Sequence, residues 1–335
     1  MISFESDYNN GMLPEILERL AETNDVKTSG YGSDVYCEEA KSRIRKAIDN
    51  NGADVFFLVG GTQTNTTVID SLLLGCEGVI ALETGHIAVH ESGAVEAFGH
   101  KVITLEGENS KLRAADVARY MDTFLADETC GHMVQPGMVY SREELASLYS
   151  ACQKYSLRLF IDGARLGYAL ASDAVDYDMA YVARNCDVFY IGGTKVGAMF
   201  GEAVVFTGMK APRHFFTTVK RHGALLAKGR MLGIQFATLF TDDLYMRVSS
   251  HAIQMAARIT GIFRKHGISM AYDSPTNQQF VVLSPERYRA LKEKVAFEVW
   301  EHQDGGNIVC RFVTSWATTE NDLSALDRAL EETAQ

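Results

Sequence analysis

The chain has 335 residues, 47% of them apolar and 22% charged, and a formal net charge of -11. This composition supplies a sizeable core and excludes a disordered chain. The acidic balance without a basic run argues against nucleic acid as a partner, and no apolar stretch is long enough to span a bilayer.

In chain order, Met1-Ile2-Ser3-Phe4-Glu5-Ser6-Asp7 lacks the basic and apolar parts of a signal peptide. Phe56-Phe57-Leu58-Val59 reads as a strand running into Gly60-Gly61-Thr62-Gln63-Thr64-Asn65 and a helix that continues to Leu74. Strands are expected at Gly78-Val79-Ile80-Ala81-Leu82, which ends near Gly85-His86, and at Lys101-Val102-Ile103-Thr104-Leu105. A helix over 141–155 opens on a capping box of Ser141 and Glu144. Apolar runs around Phe160 and Phe189, then Ala203-Val204-Val205-Phe206, give further strands. Strands alternating with helices predict an α/β fold with a mostly parallel sheet.

From about Asp242 the pattern changes. A long helix runs to His266 with Gly267 as its stop. A strand at Phe280, a helix over 285–294, strands near Phe297 and over 308–315, and a closing helix from Glu320 follow. The expected organisation is a large domain over 1–240 and a small α+β domain over 241–335. The six cysteines (Cys37, Cys76, Cys130, Cys152, Cys186, Cys310) form no Cys-x-x-Cys pair, so reduced thiols and a cytoplasmic location are expected.

Two strand ends carry the chemistry. Lys195 follows the run Asp187-Val188-Phe189-Tyr190-Ile191 inside Gly192-Gly193-Thr194-Lys195-Val196-Gly197. A lysine desolvated at a strand end sheds its charge and becomes a nucleophile towards carbonyls. Asp162 closes the run Leu159-Phe160-Ile161 and opens Gly163-Ala164-Arg165. Alone, each residue is more often a helix cap or a solvated surface group. Together they suit pyridoxal phosphate: the lysine holds the aldehyde as a Schiff base, and the carboxylate keeps the pyridine nitrogen protonated. Ligands of such sheets gather at the carboxyl ends of strands, where Gly61, His86, Asp162 and Lys195 all fall. Gly60-Gly61-Thr62 opening a helix suits a phosphate, although an isolated turn of this kind serves packing equally often. His86 with His90 has H-x-x-x-H spacing, but no third ligand accompanies it. Stacking on a flat cofactor ring is the preferred reading, a structural histidine the alternative, and no metal is expected.

The motifs Phe160-Ile161-Asp162-Gly163-Ala164-Arg165-Leu166, Gly193-Thr194-Lys195, Gly61-Thr62 with Asn65, and Gly85-His86-Ile87 resemble the threonine aldolase family. This family lies within the aromatic amino-acid β-eliminating lyase/threonine aldolase group of fold-type-I pyridoxal-phosphate enzymes. Ser6-Asp7, Tyr31-Gly32-Ser33-Asp34-Val35-Tyr36 and Arg311-Phe312-Val313-Thr314 extend the resemblance nearly end to end. It implies that Lys195 carries the cofactor, Asp162 pairs with the ring nitrogen and Arg165 lies near the phenolic oxygen or the substrate carboxylate. Gly61 and Thr62 would hold the phosphate, and His86 would stack on the ring and move a proton at the substrate hydroxyl. Ser6 and Arg311 would grip the substrate carboxylate. Arg230 would reach the phosphate of a partner subunit, implying a homodimer or homotetramer with active sites at the interface. The implied activity is cleavage of L-threonine or L-allo-threonine to glycine and acetaldehyde. A β-eliminating lyase is the runner-up, and a nucleotide-binding module without this cofactor is the alternative of a different class.

One junction departs from the family. Met138-Val139-Tyr140 reads as a shortened strand running straight into the cap at Ser141. Relatives are expected to carry roughly ten more residues there, finishing the strand and adding a loop. The expectation is that Tyr140 and Ser141 are not bonded neighbours and that a mobile lid segment separates them; the alternative is a true deletion.

Overall fold

The computed structural model describes residues 2–123, 131–137 and 139–333. Its strands are β1 (Ile2–Ser3), β2 (Asp54–Leu58), β3 (Gly78–Leu82), β4 (Lys101–Leu105), β5 (Gly131–Gln135), β6 (Arg158–Ile161), β7 (Val188–Gly192) and β8 (Glu202–Phe206). They are followed by β9 (Gln278–Leu283), β10 (Val295–Ala296), β11 (Glu298–His302) and β12 (Ile308–Val313). The first helices are α1 (Pro14–Thr23), α2 (Val35–Ala47), α3 (Gly61–Leu72), α4 (His86–Val89), α5 (Ala114–Thr123) and α6 (Arg142–Lys154). Then come α7 (Leu166–Leu170), α8 (Met179–Arg184), α9 (Phe215–Arg221), α10 (Arg230–Leu239), α11 (Leu244–Lys265), α12 (Pro285–Lys292) and α13 (Glu320–Glu332).

Seven strands form the central sheet in the order β2-β8-β7-β6-β5-β3-β4. All neighbours from β7 to β4 pair in parallel, and β8 alone runs antiparallel to both of its partners. The inner strands β3, β7 and β8 are buried at every position, as a sheet covered by helices on both faces requires. Two hydrophobic clusters include residues of this sheet, one with Ile80, Val134, Leu159 and Phe189, the other with Val79, Met133, Phe160 and Tyr190. Their alternation along each strand is the period-two pattern of a two-faced sheet.

A second sheet, β11-β12-β9, is antiparallel, and β1 pairs in parallel with β10. A third cluster joins Phe4 to Met255, Phe263, Val281, Phe312 and Leu326. The N-terminal strand therefore packs with the C-terminal part of the chain. The long helix α11 links the layers: Leu244, Tyr245 and Ala252 belong to the first cluster, Met255, Ile259 and Phe263 to the third. Gly267 ends it in the left-handed region at φ 67°.

The junction after Tyr140 corrects the expectation of a break. Ser141 follows with φ -71° and ψ 168° and caps α6, its side chain accepting from the Glu144 amide. Tyr140 is buried: its hydroxyl bonds both the N–H and the carbonyl of Leu112, and its own carbonyl accepts from Tyr177. The strand of this region is β5, Gly131–Gln135, earlier in the chain than Met138-Val139-Tyr140. Met138 and Cys130 lie outside the described residues.

Candidate active site

The turn bearing Lys195 lies between β7 and β8 and is fixed by its own backbone. The Gly193 and Thr194 amides both donate to the Gly201 carbonyl, at 3.0 and 3.1 Å, and the Gly201 amide returns a bond to the Thr194 hydroxyl at 3.0 Å. Two buried tyrosines brace it. Tyr168 donates its hydroxyl to the Lys195 carbonyl at 2.5 Å, and Tyr245 donates to the Gly192 carbonyl at 3.1 Å. The Lys195 side chain stays half-buried. Desolvation, then the positive charge of Arg165, hold its amine below the usual lysine range, against the pull of Asp7, Asp162 and Glu202. A lysine so placed is readied for nucleophilic attack.

Asp162 stands just past the end of the neighbouring strand β6, within electrostatic reach of Lys195. Its Oδ1 accepts from the Tyr190 hydroxyl at 2.5 Å and the Ala164 amide at 3.1 Å, and its Oδ2 from Asn65 Nδ2 at 3.2 Å. Asn65 places its amide between two acids: Nδ2 also donates to Glu91 Oε1 at 2.7 Å, while its Oδ1 accepts from Gln135 at 2.8 Å. Glu91 in turn meets His86 Nδ1 at 2.9 Å. A neutral imidazole held there donates from Nδ1 and keeps Nε2 as its basic atom. The His86 side chain is 49% exposed while its carboxylate partner is fully buried. The segment is one helical turn, with His86 and His90 rings 5.6 Å apart. No group of three or more His, Cys, Asp or Glu arranged to hold a metal occurs among the described residues.

Gly61 and Thr62 open α3 behind Gly60, which provides no side-chain cap. Thr64 makes the first intrahelical bond, to the Gly60 carbonyl, so the preceding amides have no partner within the helix. Amides of this kind at a positive dipole end favour an anion. A Cβ on Gly61 would approach the Tyr190 hydroxyl to 3.5 Å, which puts this helix start beside the tyrosine that holds Asp162.

Arg165 begins α7 and is gripped side-on by Asp7, with Nε and Nη2 at 2.7 and 2.9 Å from its two carboxylate oxygens. Asp7 is fully buried and also accepts from Asn277 at 2.9 Å. Burial works against the Asp7 charge, but Arg165, with Lys195 and Asn277, holds the carboxyl below its usual range. Ser6, beside Asp7, donates to Asn9 at 2.7 Å.

Two expected residues have their contacts elsewhere in this chain. Arg311 on β12 bonds Gln278 at 3.0 Å and Glu298, with Trp300 under its guanidinium. Arg230 bonds the carbonyls of Thr23 and Val26 and lies over the Tyr36 ring. The sequence reading assigned no role to Asp7, Asn65, Glu91, Tyr190 or Glu202. Asp7 and Asn65 stood in recognised motifs. Tyr190 and Glu202 sit in apolar runs like any core residue, and only the fold brings them to Asp162 and Lys195.

A family model described as beta-eliminating lyase matches residues 3–328. The chain belongs to the beta-eliminating lyase family. The low-specificity L-threonine aldolase of Pseudomonas sp. (strain NCIMB 10558) is 29% identical over 328 residues, covering 95% of this chain and 93% of that protein. Its counterpart from Pseudomonas aeruginosa is also 29% identical, with 94% and 93% covered. Among solved structures, Leishmania major threonine aldolase superposes with a TM-score of 0.96 at 36% identity over 100% of both chains. Serine palmitoyltransferase of Sphingomonas wittichii shares the fold alone, with a TM-score of 0.75 at 14% identity over 99% of this chain and 86% of that one.

Proposed function

We propose that this lyase uses pyridoxal phosphate to cleave L-threonine and L-allo-threonine to glycine and acetaldehyde. The observation that carries the reading is a linked set of side chains: Asp162 is within electrostatic reach of Lys195 and is joined to His86 through Asn65, on α3, and Glu91. The full-length likeness to threonine aldolases from three sources supports it. The residues present fit the cofactor: an amine of lowered basicity, an acid oriented by three donors, and helix amides free for an anion. When bound, pyridoxal phosphate supplies an aldehyde for Lys195 and a ring that takes up the electron pair released at the substrate Cα.

The side chains do the rest. Gly61 and Thr62 hold the phosphate at the start of α3. Asp162 would face the ring nitrogen and favour its protonated form. Arg165, one edge taken by Asp7, turns its remaining Nη1 end to the substrate carboxylate or the phenolic oxygen, and Ser6 and Arg311 serve the same carboxylate. His86 would lie against the cofactor ring, and its Nε2 would take up the proton of the substrate β-hydroxyl directly or through a water, the proton transfer that release of an aldehyde requires.

We further read the active unit as a homodimer or homotetramer in which Arg230 serves a partner's phosphate. Exposed Tyr31 and Phe216 support this, since both line one surface cavity with Gly229. The division into 1–240 and 241–335 remains our organisation of the chain, with the first residues packing on the second part. Buried free thiols at Cys37, Cys152, Cys186 and Cys310 support a cytoplasmic location.

Borohydride reduction of protein loaded with pyridoxal phosphate, followed by peptide mapping, tests the reading. The cofactor should be found on Lys195, Lys195→Ala should abolish the link, and threonine should give glycine and acetaldehyde. A keto acid and ammonia would favour elimination, and an unmodified Lys195 would sink the proposal.

A further inference from the structure

Glu202 is a buried acid with no part in the reaction as described. It opens β8 beneath the turn that carries Lys195. Its Oε2 accepts from the Gly193 amide at 3.0 Å and its Oε1 from the Thr194 hydroxyl at 2.8 Å. Among the described residues no cation lies within ion-pair distance of it, although Lys195 is within electrostatic reach. A fully buried carboxyl without a contacting cation is costly unless the site uses its charge.

We propose that Glu202 is a positioning residue for Lys195: its carboxyl clips the Gly193-Thr194 backbone and sets how readily the lysine amine gives up its proton. The inference rests on the reading of Lys195 as the cofactor lysine. The groups facing this pair are Asp7 from the N-terminal segment, Asp162 from β6, Arg165 from the start of α7, Tyr190 from β7 and Tyr245 from α11. Burial pushes the Glu202 carboxyl up to about 8; Thr194, Gly193 and Lys195 pull the other way. Burial and Arg165 hold the Lys195 amine below its usual range while Glu202 pulls it the other way, so the charge on each group bears on the proton of the other. As Glu202 ionises, its charge holds the lysine proton to higher pH. Removing that charge lets the proton leave earlier.

Glu202→Gln is the direct test. The amide keeps the shape of the clip: its oxygen can accept from Gly193 and its nitrogen can donate to the Thr194 hydroxyl. In full-length protein stripped of cofactor, competitive acetylation with acetic anhydride between pH 6 and pH 11 reads the titration of Lys195 from its peptide. The midpoint should fall by about one pH unit in Glu202→Gln, the effect of losing a nearby opposite charge. Thr194→Val keeps the carboxyl but removes a donor that favours its charged form, and should shift the midpoint the same way by less. An unchanged midpoint in both variants, with native circular dichroism, overturns the proposal. Because no cofactor is present, the result is independent of the reduction experiment. Reduction that links pyridoxal phosphate to another lysine would defeat the functional reading, while a lowered midpoint would still establish the coupling of Glu202 to Lys195.

Discussion

At the residue scale, Asp162 is the acid of the candidate site held by donors from the most residues. Three donors from three elements fix its carboxylate: Tyr190 on β7, Asn65 on α3 and the Ala164 amide after β6. This rigidity suits a group that must face one ring nitrogen at hydrogen-bond distance. Asp162→Asn should keep the Ala164 bond and still bind the cofactor, because the phosphate and lysine contacts remain. Its kcat for threonine cleavage should fall by roughly a hundredfold or more, the scale of losing one preorganised charge. Wild-type turnover in a folded Asp162→Asn protein would make the acid structural. Asp162 and Lys195 were legible in the sequence because each ends an apolar run inside a glycine-bearing turn. Glu91 was not: five residues after His86, it looks like any polar loop residue until the chain buries it against the imidazole. Arg311 was legible from its motif, whereas Gln278 and Glu298, which hold its guanidinium, were not.

At the element scale, the ends of β6 and β7 meet so closely that glycine is required at both. A Cβ on Gly163 would stand 1.7 Å from the Tyr190 carbonyl oxygen, and one on Gly192 would stand 2.2 Å from the Ala164 carbonyl oxygen. The Gly192 amide bonds the Gly163 carbonyl at 2.9 Å, so neither backbone can retreat without breaking the link. These glycines therefore set the spacing between the strand ends that carry Asp162 and Lys195. Gly163→Ala should be among the most damaging single-methyl additions in the chain, at the several-kcal/mol end of overpacking effects. Poor soluble yield is expected, or folded protein with little cofactor on Lys195 after borohydride. A stable Gly163→Ala protein with normal loading would show that the strand ends can part freely. The alternation of strands and helices was readable because β3, β4, β6, β7 and β8 are compact apolar runs. Strand β5 escaped because Gly131-His132-Met133-Val134-Gln135 is short and polar at both ends. It is central only because β3 and β6 flank it.

At the scale of the whole molecule, two buried groups pull stability in opposite directions with pH. The Glu202 carboxyl is raised from 4.5 to about 8, so its contribution is complete in acid and is lost as pH rises through about 8. His222 behaves in the opposite sense. Its ring is stacked on Phe98 at 3.9 Å, and its Nε2 meets Asp70 at 2.8 Å beside Arg221 and His100. Burial first, and then the Arg221 charge, push the imidazole down from 6.5 to about 4. Arg221 already offsets Asp70, so the contact is a hydrogen bond from a neutral ring rather than an ion pair. The stability His222 contributes is complete above about 6.5 and is lost as pH falls towards 4. The cluster ties α9 to α3, whose Gln63 also bonds the His222 carbonyl at 3.0 Å, so acid should loosen the helix that opens at Gly61. His222→Gln can still donate to Asp70 but cannot take up a proton. Thermal unfolding of the two proteins from pH 7.5 to pH 4.5 separates the effects. The wild type should lose Tm more steeply over this range, while His222→Gln starts lower and declines less. Parallel curves would show that His222 does not set the acid limit, and would leave the paired carboxylates Asp7, Asp116 and Asp327, all held below their usual range, as the groups whose protonation does.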